Sequence, residues 1–302
     1  MKKIILKHTV ISSLLFFVLV LLVIALSALN WLFEEDSPTS IKSIVHHINA
    51  TSVLVVVAHP DDEQLITGLL IDAGADQNIR TAVITATKGE AGTPLPQISR
   101  YEDLGHVRKA EALKNTWALG VEYHQVYDFP DGGLKETPLS EIAAAVSAQM
   151  LQHKPDIVVT FWPESGFSDH DDHKRMGLAA ETTITELREN PIDGYNGPTH
   201  IAYILAPTRA MSRIAGEAGI RVVANQPLAN YSQDGAGWAK LRGWEIHASQ
   251  RDYVQHAYGL PAWFVHGLYD KEFYYLIETQ NIPLRLAIMR YKPPANRLLG
   301  QH

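Results

Sequence analysis

Val53-Leu54-Val55-Val56-Val57-Ala58-His59-Pro60-Asp61-Asp62-Glu63 is the stretch from which the rest of the chain can be read. Five aliphatic residues in a row fit a strand covered on both faces, as in a parallel sheet, rather than the alternation of a half-exposed strand. Pro60 breaks the run, and residues 59–63 then present an imidazole and three carboxylates. In α/β sheets chemistry gathers beyond the carboxyl ends of the strands. Adjacent aspartates repel unless a cation or hydrogen bonds hold them, so Asp61 and Asp62 point to a divalent metal. The competing reading is an acidic N-cap for a helix starting near Glu63.

A second stretch repeats the design. Asp156-Ile157-Val158-Val159-Thr160-Phe161 reads as another buried strand, introduced by Pro155, and the loop Trp162 to Ser168 leads into Asp169-His170-Asp171-Asp172-His173 at a helix start. Two such clusters meet in space if their strands are neighbours. Catalytic zinc takes three protein ligands of His and carboxylate type and keeps a fourth position for water. A polar, solvated loop accounts for the second cluster alone but not for both together.

Around these clusters the chain alternates strands and helices. Thr81 to Thr87 and Val121 to Phe129 read as strands, Arg100 to Leu119 as a helix with Leu104, Val107, Ala110, Leu113 and Trp117 on its apolar side, and Ser140 to Leu151 as an Ala-rich helix. His200 to Leu205 and Arg221 to Ala224 are expected as further strands. The alternation predicts an α/β fold, a Rossmann-like doubly wound and mostly parallel sheet. The 302 residues, 46% hydrophobic, suffice for one sizeable core. A net charge of −7 without a long basic run argues against nucleic acid as a partner. The absence of cysteine excludes a thiolate metal site, a disulfide framework and a cysteine nucleophile.

The amino terminus bears on location. Lys2, Lys3 and Lys7 precede Thr9 to Leu29, an uncharged and almost wholly apolar run long enough for a bilayer core. Glu34, Glu35 and Asp36 follow it, so the positive-inside rule leaves residues 1–8 in the cytoplasm and sends the rest outward. A signal peptide cleaved near Ala25-Leu26-Ser27 is the alternative. The run exceeds the usual signal-peptide core, which favours an uncleaved anchor in the lipid bilayer through residues 9–29.

Ala58-His59-Pro60-Asp61-Asp62-Glu63 together with His170-Asp171-Asp172-His173 resembles the PIG-L/LmbE-type metal-dependent deacetylases of N-acetylglucosamine conjugates. Weaker matches in the same order are Thr87 to Gly92, Leu104 to Glu111, Phe129 to Gly133, and Lys240 with His247-Ala248-Ser249-Gln250. The resemblance runs from about residue 52 to about residue 255. It implies His59, Asp62 and His173 as ligands of Zn2+, with Fe2+ or cobalt also suited to that donor set, and Asp61 as general base. A protonated His170 would steady the oxyanion and Asp172 would orient His170. Glu90, Arg108 and Asp131 match positions that contact the sugar. The competing roles are a helix-surface ion pair of Arg108 with Glu102 or Glu111, and a turn before Gly132-Gly133 for Asp131. His247 reads as a structural histidine, and Trp162 as a core or rim residue.

The implied enzyme hydrolyses the N-acetyl group of a sugar conjugate, a glycolipid or envelope glycan precursor. Its catalytic domain spans residues 51–259, after a linker at 30–50 and before an extension at 260–302. An exported domain departs from family members that work in or face the cytosol. The alternatives are a zinc amidase for another sugar-linked amide and a non-catalytic, membrane-tethered sugar-binding protein. Asp61 and His170 argue against the latter, since a binder needs neither base nor acid beside its metal.

Overall fold

A computed structural model describes residues 2–283. Strands Thr39–Ser40 (β1), Ser52–Val57 (β2), Arg80–Thr87 (β3), Tyr123–Phe129 (β4), Ile157–Phe161 (β5), His200–Leu205 (β6), Tyr231–Asp234 (β7) and Lys271–Glu278 (β8) form one sheet. Their order is β1-β7-β8-β6-β5-β2-β3-β4. Strand β8 runs antiparallel to both its neighbours, and every other pairing is parallel. The fold is the α/β type expected, mostly parallel and wound on both faces. Before the first crossover come helices Lys2–Leu32 (α1) and Ile44–His47 (α2). Thr67–Ala75 (α3), Leu104–Ala118 (α4), Leu139–His153 (α5), Gly166–Asp169 (α6) and Asp171–Glu189 (α7) follow, then Thr208–Ile214 (α8) and Gly216–Asn225 (α9). Gly237–Ile246 (α10), Tyr253–Tyr258 (α11) and Ala262–Leu268 (α12) complete the described helices.

The aliphatic run at Val53 is buried on both sides because its pleat feeds two cores. Val53, Val55 and Val57 pack with Ile44, Ile66, Leu69 and Leu70, beneath α2 and α3. Leu54, Val56 and Ala58 pack with Ile142, Val146 and Met150 of α5 and with Met176, Ala180 and Ile184 of α7. A fully buried aliphatic side chain contributes about 1.5–3 kcal/mol, so β2 alone is a large share of what holds the layers together. Strand β2 lies between β3 and β5, with Val55 opposite Val83 on one side and Val159 on the other. The two His/Asp clusters therefore leave adjacent strands at the same edge, which brings them together.

Four expectations need correction. Arg221 to Ala224 lies in helix α9, where Gly219 and Val222 alone are buried; a spacing of three residues marks one helical face and not a strand. The linker at 30–50 is partly sheet and core, because β1 pairs with β7 and Ile44 and Val45 are fully buried. Within the stretch 260–302, β8 is an internal strand, and residues 284–302 lie outside the described residues. Helix α4 buries Leu104, Gly105, Arg108, Ala112, Asn115 and Thr116, whereas Trp117 is 79% exposed and Leu113 and Ala110 are also exposed. Its inward face is polar because it borders the site.

Strand β8 also carries a buried ion pair. Glu272 faces Lys240 at 3.6 Å and accepts from the amides of Gly68 (2.7 Å) and Leu69 (3.1 Å) at the start of α3. A carboxylate at a helix amino end satisfies donors that have no partner within the helix. Within α1, Ile11–Leu32 is long and apolar enough to cross a membrane, with a mean hydropathy of 2.8 and no burial against the rest of the protein. At its end Arg209 donates to the Glu34 carbonyl (2.8 Å) and lies 4.6 Å above the Trp31 ring, and Phe33 stacks on Tyr269 at 5.4 Å.

Candidate metal centre

The loop after β2 holds His59 and Asp62 in fixed relation. Asp62 Oδ2 accepts from the backbone amides of Ala58 (3.0 Å) and His59 (2.8 Å), which turns its other oxygen outward. His173, in the first turn of α7, is set by Nδ1 against the Gly166 carbonyl (2.8 Å) and by Phe161, whose ring lies parallel to the imidazole at 4.0 Å. These restraints aim His173 Nε2 at Asp62 Oδ1 (3.2 Å) and at His59 Nδ1 (3.1 Å), and His59 Nδ1 lies 3.7 Å from the other Asp62 oxygen, Oδ2. A metal about 2.1 Å from each of three tetrahedral ligands spaces them roughly 3.4 Å apart. The His59–His173 and His173–Asp62 contacts are close to that spacing, with Asp62 meeting His173 through one oxygen and His59 through the other.

The other nitrogen of His59 faces two more carboxylates, Asp131 at 3.1 Å and Asp172 at 3.3 Å. Two groups among the described residues have ligand atoms within 4.8 Å of one another, His59 with His170 and His173, and His59 with Asp131 and Asp172; Asp62 belongs to neither. Asp172 is already committed, since it accepts from the amides of Gly132 (2.8 Å) and Leu134 (3.1 Å). Asp131 accepts from the amide of Ala91 (2.9 Å). These two orient His59 in the manner of the carboxylates behind metal-bound imidazoles. Burial opposes a charge on His59, but its hydrogen bonds to Asp131 and Asp172 and the nearby Asp62 outweigh it and raise its pKa to about 10. Asp62 is also buried, and the charges of His173 and His59 nevertheless hold its carboxyl well below the usual range.

Asp61 offers no side-chain cap to the helical turn that follows and has φ of 96°, a conformation uncommon outside glycine. Such backbone persists where its surroundings over-determine it, often at functional sites. Here the Asp61 amide donates to Glu63 (3.0 Å) while Arg108 holds its carboxylate at 2.9 Å. Arg108 also donates to the carbonyls of Pro60 and Gly89, both at 2.7 Å. Gly89, with φ of +67°, is required there: a Cβ would come within 2.3 Å of the guanidinium. Glu63 is in turn fixed by Asn115 (2.9 Å) and His247 (2.5 Å). Burial raises the pKa of Asp61, and Arg108 opposes that rise.

The structure brings the residues singled out from sequence together, and three of them have partners other than those expected. Arg108 is buried against Asp61 and makes neither expected ion pair, since Glu111 accepts from Ser249 and Glu102 faces Arg100. Asp131 sits against His59, and Glu90 braces it by accepting from its amide (2.9 Å). The Asp172 carboxylate points at His59 and not at His170; its backbone amide donates to His170 Nδ1 (3.2 Å). That bond makes the neutral His170 an Nε2–H donor. Burial, then the neighbouring His173 and His59, lower the pKa of His170, which opposes the protonated ring expected from sequence. Trp162 is a core residue whose indole donates to the Asn225 carbonyl. Sequence reasoning missed Glu63 and Asn115 as the supports of Asp61; the signal was an inward helix face that carries Arg108 and Asn115 seven residues apart.

Residues 54–184 match the family described as PIG-L, GlcNAc-PI de-N-acetylase. The chain is 28% identical over 144 residues to a probable N-acetyl-alpha-D-glucosaminyl L-malate deacetylase 2 of Bacillus cereus, an alignment covering 46% of this chain and 64% of that protein. It is 32% identical over 169 residues to a 1D-myo-inositol 2-acetamido-2-deoxy-alpha-D-glucopyranoside deacetylase of Corynebacterium urealyticum, covering 47% and 50% respectively. The chain thus spans half to just under two thirds of these relatives. Among solved structures, N,N'-diacetylchitobiose deacetylase of Pyrococcus horikoshii aligns with TM-score 0.57 and 19% identity over 78% of this chain and 87% of that one. GalB, the 4-carboxy-2-hydroxymuconate hydratase of Pseudomonas putida, aligns with TM-score 0.53 and 14% identity over 75% and 96%. These likenesses establish the fold, which hosts more than one reaction.

Proposed function

From the PIG-L domain formed by residues 54–184, we propose that this protein is a metal-dependent N-deacetylase of an N-acetylglucosamine-type conjugate. The observation that carries the reading is the convergence of His59, Asp62 and His173, with His173 Nε2 at 3.1 Å from His59 Nδ1 and 3.2 Å from Asp62 Oδ1, beside Asp61 with φ of 96°. Zn2+ suits two imidazoles and one carboxylate, and when bound it supplies a Lewis acid and lowers the pKa of water toward about 7. Asp61 is the base that takes the proton from the attacking water and returns it to the sugar nitrogen as the C–N bond breaks, releasing acetate and the free amine. The Nε2–H of neutral His170 donates to the oxygen of the acetamide carbonyl as charge builds there. Asp131 and Asp172 hold His59, Arg108 and Glu63 hold Asp61, and Glu90 lies at the rim where a sugar hydroxyl meets it. A sugar conjugate is the substrate class supported by relatives named as acting on GlcNAc-type sugars.

The full chain, metal-stripped in neutral detergent and re-supplied with Zn2+, is expected to release acetate from an N-acetylglucosamine conjugate. Asp61→Asn is expected to retain the metal and lose at least about 10²-fold in rate. Stoichiometric metal without acetate release from any conjugate would sink the deacetylase reading in favour of another amide. Ile11–Leu32 we read as a bilayer anchor with the domain outside the cytoplasm, in keeping with the basic residues before it and the acidic ones after it. Digestion of the domain by protease added to intact cells is the expected result; protection until lysis refutes that orientation.

A further inference from the structure

A cavity of about 570 Å3 lies between α10 and α12, apart from the metal centre. Its walls include Trp238, Leu241 and Trp263, the carboxylates of Asp234 and Asp270, and His266. The volume falls in the range of roughly 300–1,000 Å3 usual for small-ligand sites. Trp238 and Trp263 are 83% and 63% exposed, an unusual state for two indoles bordering one cavity.

Of the polar groups there, Asp234 accepts from the Ala236 amide at 2.7 Å. Trp244 Nε1 donates to His266 Nε2 at 2.9 Å, which places the proton of a neutral His266 on Nδ1. That Nδ1 is buried and has no hydrogen-bond partner among the described residues. Burial lowers the pKa of His266 to about 4, so the ring is a neutral donor at ordinary pH. Among the described residues neither Asp234 nor Asp270 has a basic side chain within 4 Å, and Lys240 is turned inward to Glu272. Burial and the charge of Asp234 raise the pKa of Asp270, a cost that a cationic ligand would relieve.

We propose that this cavity is a second carbohydrate site, one that binds a hexosamine ring with a free amino group. The apolar face of the ring stacks on Trp238 or Trp263, and the ammonium lies near Asp234 and Asp270 with an indole face nearby. The two carboxylates disfavour phosphate, uronate and anionic lipid headgroups. The site stands whether or not the metal centre deacetylates sugars. Trp244, which bonds His266, also stacks on Tyr253 at 6.2 Å, and the chain beyond it reaches Glu63 through His247, so one helix separates the two sites.

Calorimetry on the full chain in neutral detergent tests this with a β1,4-linked glucosamine tetramer and with cellotetraose as the neutral counterpart. The glucosamine tetramer is expected to bind at least tenfold more tightly than cellotetraose. Trp238→Ala with Trp263→Ala is expected to weaken it at least tenfold, Asp270→Asn to abolish the preference over cellotetraose, and Asp62→Ala to leave binding unchanged. Asp270→Asn keeps the test sound if the double tryptophan variant folds poorly. Equal binding of both tetramers, or binding lost in Asp62→Ala and kept in the tryptophan variant, overturns the proposal. So does the absence of binding heat combined with tryptophan-dependent association with lipid vesicles, which would make these indoles a membrane contact.

Discussion

Arg108→Lys separates two roles for one residue. A residue that binds substrate equally in ground and transition states raises KM when weakened and spares kcat, whereas one that positions the base lowers kcat. Arg108 makes three hydrogen bonds, to Asp61 at 2.9 Å and to the Pro60 and Gly89 carbonyls at 2.7 Å each, and it is 6% exposed. Lysine keeps the charge but replaces a planar fork by one ammonium, so it cannot reproduce three bonds fixed in direction. Asp61 then relaxes from φ of 96°, and its carboxylate swings away from the water. A misplacement of about 1 Å costs on the order of 10²-fold, or about 2.7 kcal/mol. Steady-state acetate release is therefore expected to show kcat reduced about 10²-fold, KM nearly unchanged and zinc content intact. Arg108→Leu adds a folding defect, since each unsatisfied carbonyl costs about 1–3 kcal/mol. A raised KM with kcat preserved in Arg108→Lys would refute the positioning role and restore Arg108 to the sugar pocket.

Three further outcomes follow from the same geometry. Addition of Zn2+ at about 100 times its Kd to the stripped chain is expected to raise stability by about 2.7 kcal/mol, seen as a higher Tm, and His173→Ala is expected to abolish the shift; an equal shift in that variant argues against this ligand set. Gly177→Ala places a Cβ 2.2 Å from the Phe161 carbonyl oxygen, so the strand end behind His173 must move; overpacking of this kind costs about 1–3 kcal/mol, and an unchanged denaturation midpoint contradicts it. His124 is buried between the hydroxyls of Thr85 and Thr116, and burial lowers its pKa from 6.5 to about 4. The unfolded chain therefore binds the extra proton first as pH falls. The contribution of neutral His124 is complete above about pH 6.5 and declines by about 3 kcal/mol toward pH 4. His124→Asn is expected to flatten that part of the stability profile, and identical slopes exclude the assignment.

The buried strands and their loops were legible because a run such as Val53 to Val57 has few ways to be covered, and because Pro60 marks where it stops. Asp131 beside His59 was not legible. Its sugar-contact and turn readings both follow from local sequence, whereas its partner comes from a strand two places away in the sheet. The burial of Arg108 was hidden for a related reason: the apolar residues of α4 suggested that they face inward, but the helix borders a polar loop. The position of β8 carried no local signal either, since an aromatic, irregular stretch leaves strand order undetermined. Lys240 and His247 were visible as a pair of residues, but their acidic partners, Glu272 and Glu63, lie far off in the chain.

The order of strands has a consequence for biogenesis. Strands β1 and β7 pair with each other, and β7 joins the body of the sheet only through β8. A nascent chain that has emerged only as far as Ala262–Leu268 therefore has its β2–β6 layer but no bridge to the β1–β7 pair. Its α3 amino end also lacks the Glu272 carboxylate. Closure waits for residues 271–278, about 230 residues after Thr39–Ser40 in the chain. A chain threaded outward through a membrane would then expose the unpaired edge of β6 until residues 271–278 had crossed, the interval in which a chaperone at the exit has most to protect.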